Sequence, residues 1–249
     1  MEKIYDLILI PWLCIAIITF ILLLKITAPY GKFFNKNFGF SLPYKIGWFI
    51  QESISPIFFA TFFLINGVES DNKIVWIFFL IWIFHYLYRS VIFPLRMGSN
   101  GSRIPIAIIF SAIFFNIING FTNGYYLGNT AYESNYYFEY NFIIGLILVI
   151  FGFYINFKAD NVLLKLKAQN KGYIIPQGGM YKYISCPNYF GEMIEWLGFS
   201  IMTLSFPALI FFIWTVANLF PRAVATHKWY HNNFDDYPKK RKAIIPFVI

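Results

Sequence analysis

Long apolar runs separated by short polar segments dominate the chain. Each run approaches the roughly 20 residues that a helix needs to cross a bilayer, and none alternates apolar and polar residues as a barrel strand would. Pro207 divides the last apolar stretch, which is too long for one crossing. The pattern therefore predicts an all-α polytopic membrane protein with seven transmembrane helices, at 7–24, 47–66, 74–93, 104–119, 141–157, 188–203 and 207–225.

Composition strengthens this interpretation, because 58% of the 249 residues are hydrophobic and only 13% are charged, which excludes an ordinary soluble domain. The first apolar run is interpreted as a membrane anchor rather than a cleaved signal peptide, since Glu2 and Asp6 precede it and no small-residue cleavage site follows. Two cysteines, Cys14 and Cys186, indicate neither a disulfide framework nor a metal site. One membrane-embedded domain spanning 1–249 is the economical interpretation.

The charge of the connecting segments alternates along the chain. Lysine and arginine prevail in 25–45, 94–103, 158–183 and the tail from 226, whereas 67–73 carries Glu69 and Asp71, and 120–140 carries no base. Because basic loops stay in the cytoplasm, the alternation predicts an N-terminus outside and a cytoplasmic C-terminus. The net charge of +8 is then mostly a topology signal and requires no nucleic-acid partner.

Ionisable residues inside apolar runs are candidate functional groups, because burial of an unpaired charge costs several kcal/mol. Gln51 and Glu52 lie side by side in the second span, and His85, Tyr86 and Arg89 lie in the third. Each has a structural alternative: Gln51 could join helices through its amide, Glu52 could form an ion pair with Arg89, and Tyr86 could serve packing alone.

An acid and a phenol together would form a chemically useful pair. A carboxylic acid in an apolar pocket stays protonated at neutral pH, so that beside a phenol it supplies a second hydrogen-bond donor. Two such donors can polarise a carbonyl and stabilise a developing enolate. The chain contains no GxSxG, HExxH, P-loop or GxGxxG motif, so a Rossmann-type site is not expected.

Six segments in order resemble those of the steroid 5α-reductase family. They are "QES" (51–53), "HYLYRS" (85–90), "NGFTNGYYL" (119–127), "GFYINFKADNVLLKLK" (152–167), "YIIPQGGMYKYISCPNYFGEMIEWLGF" (173–199) and "HKWYHNNFDDYPKKRKAIIPF" (227–247). The resemblance implies seven helices and an NADPH-dependent reduction of an activated carbon–carbon double bond. It also implies substrate-side helices in 1–140 and a cofactor-binding half in 141–249.

The same resemblance implies roles for individual residues. Glu52 and Tyr86 match the residues that grip the 3-keto group of a 3-oxo-Δ4-steroid, with Gln51 beside them, while hydride passes to C5. Positions that match the cofactor site are Asn156, Asp160, Lys167, Tyr173, Asn188, Glu192, His227, Tyr230 and Arg241. Glu195 matches a supporting position.

The chain departs from the family pattern at Leu164, Ile174 and Thr226, where basic residues or a second histidine are common. These departures leave the preference for NADPH over NADH open, although Lys165, Lys167, Lys171 or Lys182 could compensate.

Other functions stay open at this point. A related reductase could act on another lipid enone or enoyl substrate, such as a 2-enoyl-CoA or a polyprenol, and a membrane S-adenosylmethionine-dependent methyltransferase would share a similar C-terminal half. The Gln51–Glu52 pair favours the steroid branch. A transporter would show repeated halves, which the chain lacks. The expected partners are a lipid substrate and the bilayer, either a bacterial inner membrane or the endoplasmic reticulum, with no protein partner evident.

Overall fold

A computed structural model describes residues 1–65, 73–97, 101–169 and 172–249, and α-helices make up most of them. The helices are α1 (Glu2–Lys25), α2 (Tyr44–Leu64), α3 (Lys73–Leu87), α4 (Phe93–Arg96), α5 (Ile106–Asn129), α6 (Tyr140–Ala168), α7 (Pro187–Thr203) and α8 (Phe206–Asn233). A π-helical turn, Tyr88–Ile92, joins α3 to α4 in one continuous helix. Two short antiparallel strands, β1 (Ser41–Pro43) and β2 (Arg103–Pro105), were not predicted.

Six helices among the described residues are long and apolar enough to cross a membrane: α1, α2, the continuous helix Lys73–Arg96, α5, α6 and α8. The prediction of an all-α polytopic membrane protein is thereby confirmed. The seventh predicted span, 188–203, forms α7, but α7 has 17 residues and is not one of the six. At 17 residues, α7 is shorter than the roughly 20 residues that a crossing needs.

Several helices continue beyond the predicted spans. Helix α5 was expected to end at 119 and ends at Asn129, and α6 was expected to end at 157 and ends at Ala168. Hydropathy marks only the apolar part of a helix, and polar residues at its end can continue the same hydrogen-bond ladder.

The break between α7 and α8 lies before the proline that was predicted to cause it. Leu204 adopts a left-handed conformation with φ of 47° and ends α7, and the hydroxyl of Ser205 then accepts a hydrogen bond from the Ala208 amide. Pro207 belongs to the first turn of α8, where its missing N–H costs nothing.

The chain divides into two compact units. The first contains Met1–Leu9 and Ala28–Ile143, and the second contains Ile10–Thr27 and Ile144–Ile249, so α1 contributes to both. The functional division at residue 140 stays a prediction.

In the first unit, α2 and α5 approach through their backbones. Gly124 faces the backbone of Phe59, and Gly128, one turn later, faces the backbone of Phe63. A side chain at either glycine would overlap a carbonyl group of α2, which explains the small residues at a helical spacing within "NGFTNGYYL" and directly after it.

In the second unit, α1 and α8 are joined by tryptophans. The indole Nε1 of Trp214 donates to the carbonyl oxygen of Trp12 at 3.2 Å, and the two ring systems lie 4.5 Å apart. The C-terminal tail folds back on the segment before α7 through a parallel bridge between Ile184 and Lys242.

Candidate active site

The substrate-side candidates begin with Gln51 and Glu52 on α2. Gln51 is 5% exposed, and its Nε2 donates to Oε1 of Glu52 at 3.0 Å. The Gln51 backbone carbonyl, rather than its amide group, ties the helices together by accepting from Nδ2 of Asn116 on α5 at 2.7 Å. The Gln51 amide is therefore committed to orienting the neighbouring carboxyl group.

Two contacts set the register between α2 and the continuous helix Lys73–Arg96. At one end, the indole Nε1 of Trp48 donates to the carbonyl oxygen of Arg89 at 3.1 Å. At the other, the rings of Phe59 and Trp82 stack with centroids 4.7 Å apart and planes 7° apart. The π-helical turn Tyr88–Ile92 contains Arg89, at one end of this stretch, and such turns are frequent at functional sites.

On α2, Glu52 lies between the contact residues Trp48 and Phe59, about one turn after Trp48. On the facing helix, Tyr86 lies between the contact residues Trp82 and Arg89. The register therefore brings Glu52 and Tyr86 to the same level along the helix pair. Tyr86 is 4% exposed, and its ring contacts Trp82 at 5.4 Å and His85 at 5.2 Å. An acid and a phenol thus share one level in an aromatic surrounding.

Arg89, the candidate structural partner of Glu52, has aromatic neighbours. Its guanidinium carbon lies 5.1 Å from the ring of Trp48 and 5.0 Å from the ring of Phe93. These cation–π contacts stabilise the arginine in an apolar environment. The proposed ion pair with Glu52 stays a hypothesis for experiment.

The cofactor-side candidates of the second unit begin where α6 crosses α7. A Cβ on Gly152 would lie 2.5 Å from the carbonyl oxygen of Gly191, and one on Gly191 would lie 2.6 Å from that of Gly152. A second glycine pair, Gly145 and Gly198, repeats the contact seven residues away. The two helices therefore pack backbone against backbone over two turns.

This close crossing brings Asn156 to α7. Its Nδ2 donates to the backbone oxygen of Asn188 at 3.0 Å and to Oε2 of Glu192 at 3.3 Å. Three predicted cofactor residues thus come together in one hydrogen-bonded group. Glu195, predicted as a supporting residue, is 1% exposed and lies on α7 where Gly152 faces it.

Asp160 lies one turn after Asn156 on α6 and is 1% exposed. The nearby Tyr181 hydroxyl donates to the Ala159 carbonyl at 3.4 Å. Burial raises the pKa of Tyr181 well above its usual value, and the negative charge of Asp160 raises this pKa further. The phenol therefore stays neutral beside a buried carboxylate.

Arg241 is 3% exposed, and its guanidinium carbon lies 5.0 Å from the ring of Tyr237. Its Nε and Nη1 atoms are buried and donate to no polar atom of the described residues. A buried cation with unused donors is costly unless a ligand supplies acceptors. The arrangement fits an anionic group such as a phosphate of a nucleotide cofactor.

The aromatic candidates surround the same tail. Tyr230 is 5% exposed and stacks on Tyr237 with centroids 5.3 Å apart and planes 7° apart. Tyr173 is half exposed and contacts Trp229 at 4.9 Å. Burial also raises the pKa of Tyr173, whereas the positive charge of Arg222 opposes the shift.

Lys167 lies near the end of α6, two turns beyond Asp160. Of the departures from the family pattern, Leu164 is buried at 7% exposure, so an apolar environment accounts for its side chain. Lys171, one possible compensating cation, lies outside the described residues, as do Glu69 and Asp71.

Sequence reasoning missed Ser185 and Tyr237. The Ser185 hydroxyl lies 2.6 Å from Nδ1 of His227 and 2.6 Å from the Tyr237 hydroxyl. Both residues occur in quoted motifs, but neither is charged, and their partners are distant in sequence. Only the position of Ser185 directly before the α7 segment could have drawn attention to it.

Comparison with known proteins identifies the family. The family model described as 3-oxo-5-alpha-steroid 4-dehydrogenase matches residues 102–249. The chain belongs to this family of membrane-embedded steroid 5-alpha-reductases and is an oxidoreductase that acts on CH–CH groups.

Individual relatives support this over nearly the whole chain. It is 42% identical over 242 residues to steroid 5-alpha-reductase DET2 of Arabidopsis thaliana, covering 92% of this chain and 91% of the relative. It is 33% identical to 3-oxo-5-alpha-steroid 4-dehydrogenase 1 of Bos taurus, covering 94% and 93%. It is 34% identical to 3-oxo-5-alpha-steroid 4-dehydrogenase 2 of Sus scrofa, covering 88% and 87%.

Proposed function

We propose that the protein catalyses the NADPH-dependent reduction of the Δ4 double bond of a 3-oxo-Δ4-steroid. The names of the plant and mammalian relatives support this substrate class. The observation that carries the proposal is the shared level of Glu52 and Tyr86 between two helix contacts. A pair of donors at one level suits a single carbonyl oxygen.

The Gln51 amide gives Glu52 a defined role in this reaction. Because Nε2 of Gln51 donates to Oε1, a proton on the carboxyl group belongs on Oε2, where it can be donated to the steroid 3-keto oxygen. The Tyr86 hydroxyl donates to the same oxygen. Both hydrogen bonds strengthen as negative charge develops on that oxygen, so they stabilise the transition state more than the ground state.

The electron balance follows from these roles. NADPH, when bound, supplies the hydride that forms the new bond at C5. The two π electrons of the C4–C5 bond then shift toward the carbonyl, which gives an enolate at C3. Glu52 and Tyr86 hold that oxygen until C4 takes up a proton and the ketone re-forms.

The second unit would hold the cofactor. Asn156 and Glu192 form a polar group suited to amide and hydroxyl groups, and Arg241 offers two unused donor nitrogens to a phosphate. Asp160, Asn188, His227, Tyr230 and Tyr173 complete the proposed set, and Lys167 would add positive charge. Leu164 and Ile174 stand in place of basic residues, so titrations with NADPH and with NADH would measure how strongly the protein prefers NADPH.

We also propose that α7 is a seventh crossing, with the N-terminus outside and the C-terminus cytoplasmic. The pairing of β1 with β2 joins two segments predicted to be cytoplasmic. A cleft lined by Glu2, Asp6, Tyr125 and Asn129 likewise joins the N-terminus to the end of α5, both predicted to be outside. Each contact joins two segments predicted to lie on the same side of the membrane, and this supports the predicted alternation of the loops between the two sides.

The decisive experiment uses the purified chain in lipid nanodiscs with deuterium-labelled NADPH. A 3-oxo-Δ4-steroid, a 2-enoyl-CoA and a polyprenol are each offered, and products are identified by mass spectrometry. The proposal expects a saturated 3-oxo steroid with deuterium at C5. Unchanged steroid together with reduction of the enoyl-CoA or polyprenol would overturn the substrate assignment, and binding of S-adenosylmethionine instead of NADPH would overturn the cofactor.

A further inference from the structure

The Ser185 hydroxyl lies at the meeting point of three partners in the second unit. It is 2.6 Å from Nδ1 of His227, 2.6 Å from the Tyr237 hydroxyl and 3.1 Å from the Lys242 carbonyl oxygen. Ser185 is 4% exposed, and its backbone N–H also donates to the Lys242 oxygen at 2.8 Å. The serine is therefore held in place by its own main chain.

Counting protons assigns each hydrogen bond a direction. A serine hydroxyl has one proton to donate and two lone pairs that accept. The Lys242 carbonyl can only accept, so Ser185 donates to it. The other two partners must then donate to Ser185: Tyr237 through its hydroxyl, and His227 through a proton on Nδ1. This is the one arrangement that satisfies all three contacts together.

The same network reaches Arg241. The guanidinium carbon of Arg241 lies 5.0 Å from the centroid of the Tyr237 ring, which is a cation–π contact. Tyr237 can contact Arg241 and donate to Ser185 at once, because the first contact uses its ring and the second its hydroxyl. Tyr237 thus links the buried arginine to the serine that orients the histidine.

With its proton on Nδ1, a neutral His227 carries a lone pair on Nε2. No hydrogen bond joins Nε2 to the described residues; the ring otherwise contacts the rings of His231 at 4.6 Å and Tyr237 at 5.9 Å. Nε2 is therefore an acceptor that a ligand can use.

We propose that Ser185 and Tyr237 are positioning residues that hold His227 in the Nδ1–H tautomer, so that Nε2 accepts a hydrogen bond from a hydroxyl or amide N–H of the cofactor. This inference rests on the proposed function, which assigns His227 to the cofactor. The network separates two tasks: His227 receives a donor group of the nucleotide, and Arg241 receives an acceptor group such as phosphate. A phosphate oxygen, which only accepts, would be repelled by the Nε2 lone pair.

The tautomer can be measured directly by ¹⁵N NMR of histidine-labelled protein in micelles, since the protonated and bare ring nitrogens have distinct shifts. The chain has three histidines, so His85→Gln and His231→Gln variants assign the signals. The wild-type protein should show His227 protonated at Nδ1. Ser185→Ala should give a mixture of tautomers. Tyr237→Phe should shift part of His227 toward the Nε2–H form, because the Ser185 hydroxyl, without the Tyr237 donor, can turn its own proton toward Nδ1.

NADPH titration of the same preparations tests the functional consequence. Ser185→Ala and Tyr237→Phe should each weaken NADPH binding by about fivefold to tenfold, the scale of one misdirected hydrogen bond. Ser200→Ala, which changes another buried serine of this unit, should bind as the wild type does. Tyr237→Phe keeps the measurement meaningful if Ser185→Ala does not fold.

The outcomes separate this inference from the proposed function. An Nε2-protonated His227 in a protein that binds NADPH overturns the network alone. Wild-type NADPH affinity in folded Ser185→Ala and Tyr237→Phe overturns the positioning role. Failure of the wild-type protein to bind NADPH overturns the proposed function and the cofactor role of Nε2 with it, while the tautomer measurement still decides the proton arrangement.

Discussion

Gly152 of α6 and Gly191 of α7 meet through their backbones, and each lacks the side chain that would strike the carbonyl oxygen of the other. The contact carries Asn156, one turn along α6, to within hydrogen-bond distance of Glu192. Close packing of two helices thus builds part of the candidate cofactor site.

Replacement of Gly152 by alanine should push the two helices apart. We expect a loss of about 1–3 kcal/mol in stability from overpacking, together with weaker NADPH binding because Asn156 loses its partners on α7. Thermal unfolding and NADPH titration measure the two effects. Ile147→Ala, on the exposed side of the same helix, serves as control; an unchanged melting temperature in Gly152→Ala would contradict the tight crossing.

Tyr86→Phe removes one proposed donor to the steroid carbonyl, and Glu52→Gln replaces the acid by a weaker donor of similar shape. We expect Tyr86→Phe to lower the single-turnover rate by roughly 10²–10³ and Glu52→Gln to be slow as well, while NADPH affinity is kept. Tyr88→Phe, a nearby buried tyrosine in the π-helical turn, is the matched control.

The competing hypothesis makes Glu52 a structural partner of Arg89. In that case Glu52→Gln would lower the melting temperature and leave turnover of the folded protein nearly normal. Melting temperature and single-turnover rate, measured on one preparation, therefore distinguish the two roles.

Arg241→Ala removes the buried guanidinium with its two unused donors. Loss of a charge-assisted contact should weaken NADPH binding about tenfold or more, and a titration measures it. Lys239→Ala removes an exposed cation two residues away and should change binding little. Overlapping curves for Arg241→Ala and wild type would reject the assignment. Asn188→Ala should also weaken NADPH binding more than steroid binding.

Ionisation of Tyr181 should lower the free energy of unfolding at alkaline pH. Its folded-state pKa is raised by burial above the ordinary value of 10.0, so in the unfolded chain the phenol loses its proton first. The contribution of the neutral Tyr181 phenol to stability is fully present below about pH 10, and it is lost as pH rises toward the folded-state pKa. Unfolding measured from neutral to alkaline pH should show a smaller decline in Tyr181→Phe than in wild type.

Accessibility labelling tests the membrane topology. With Cys14 and Cys186 replaced by serine, single cysteines at 32, 96, 167 and in the C-terminal tail should react only from the cytoplasmic side. Cysteines within 120–140 should react from the opposite side. Labelling of position 167 by an impermeant reagent from outside would reject seven crossings.

The amino-acid sequence by itself determined the class of the protein, because hydropathy is a local property of each segment. It located the apolar helices and divided α7 from α8, although Pro207 proved to be inside α8 rather than at the break. Helix ends, such as that of α6 at Ala168, lay beyond the prediction because hydrogen bonding continues past the apolar residues.

The candidate residues were also readable in the sequence, since Asn156, Glu192 and Arg241 occur in motifs that resemble those of the family. What the sequence did not contain was their mutual geometry. Asn156 and Glu192 are 36 residues apart, and the glycines that bring them together have no chemistry of their own to mark them.

Only the tertiary structure decided the role of Ser185. Its partners His227 and Tyr237 follow it by 42 and 52 residues, and apart from its position before α7 nothing local distinguishes this hydroxyl from any other serine. Directional hydrogen bonds need donors and acceptors within about 3 Å, and the folded backbone alone sets such distances between segments far apart in the chain.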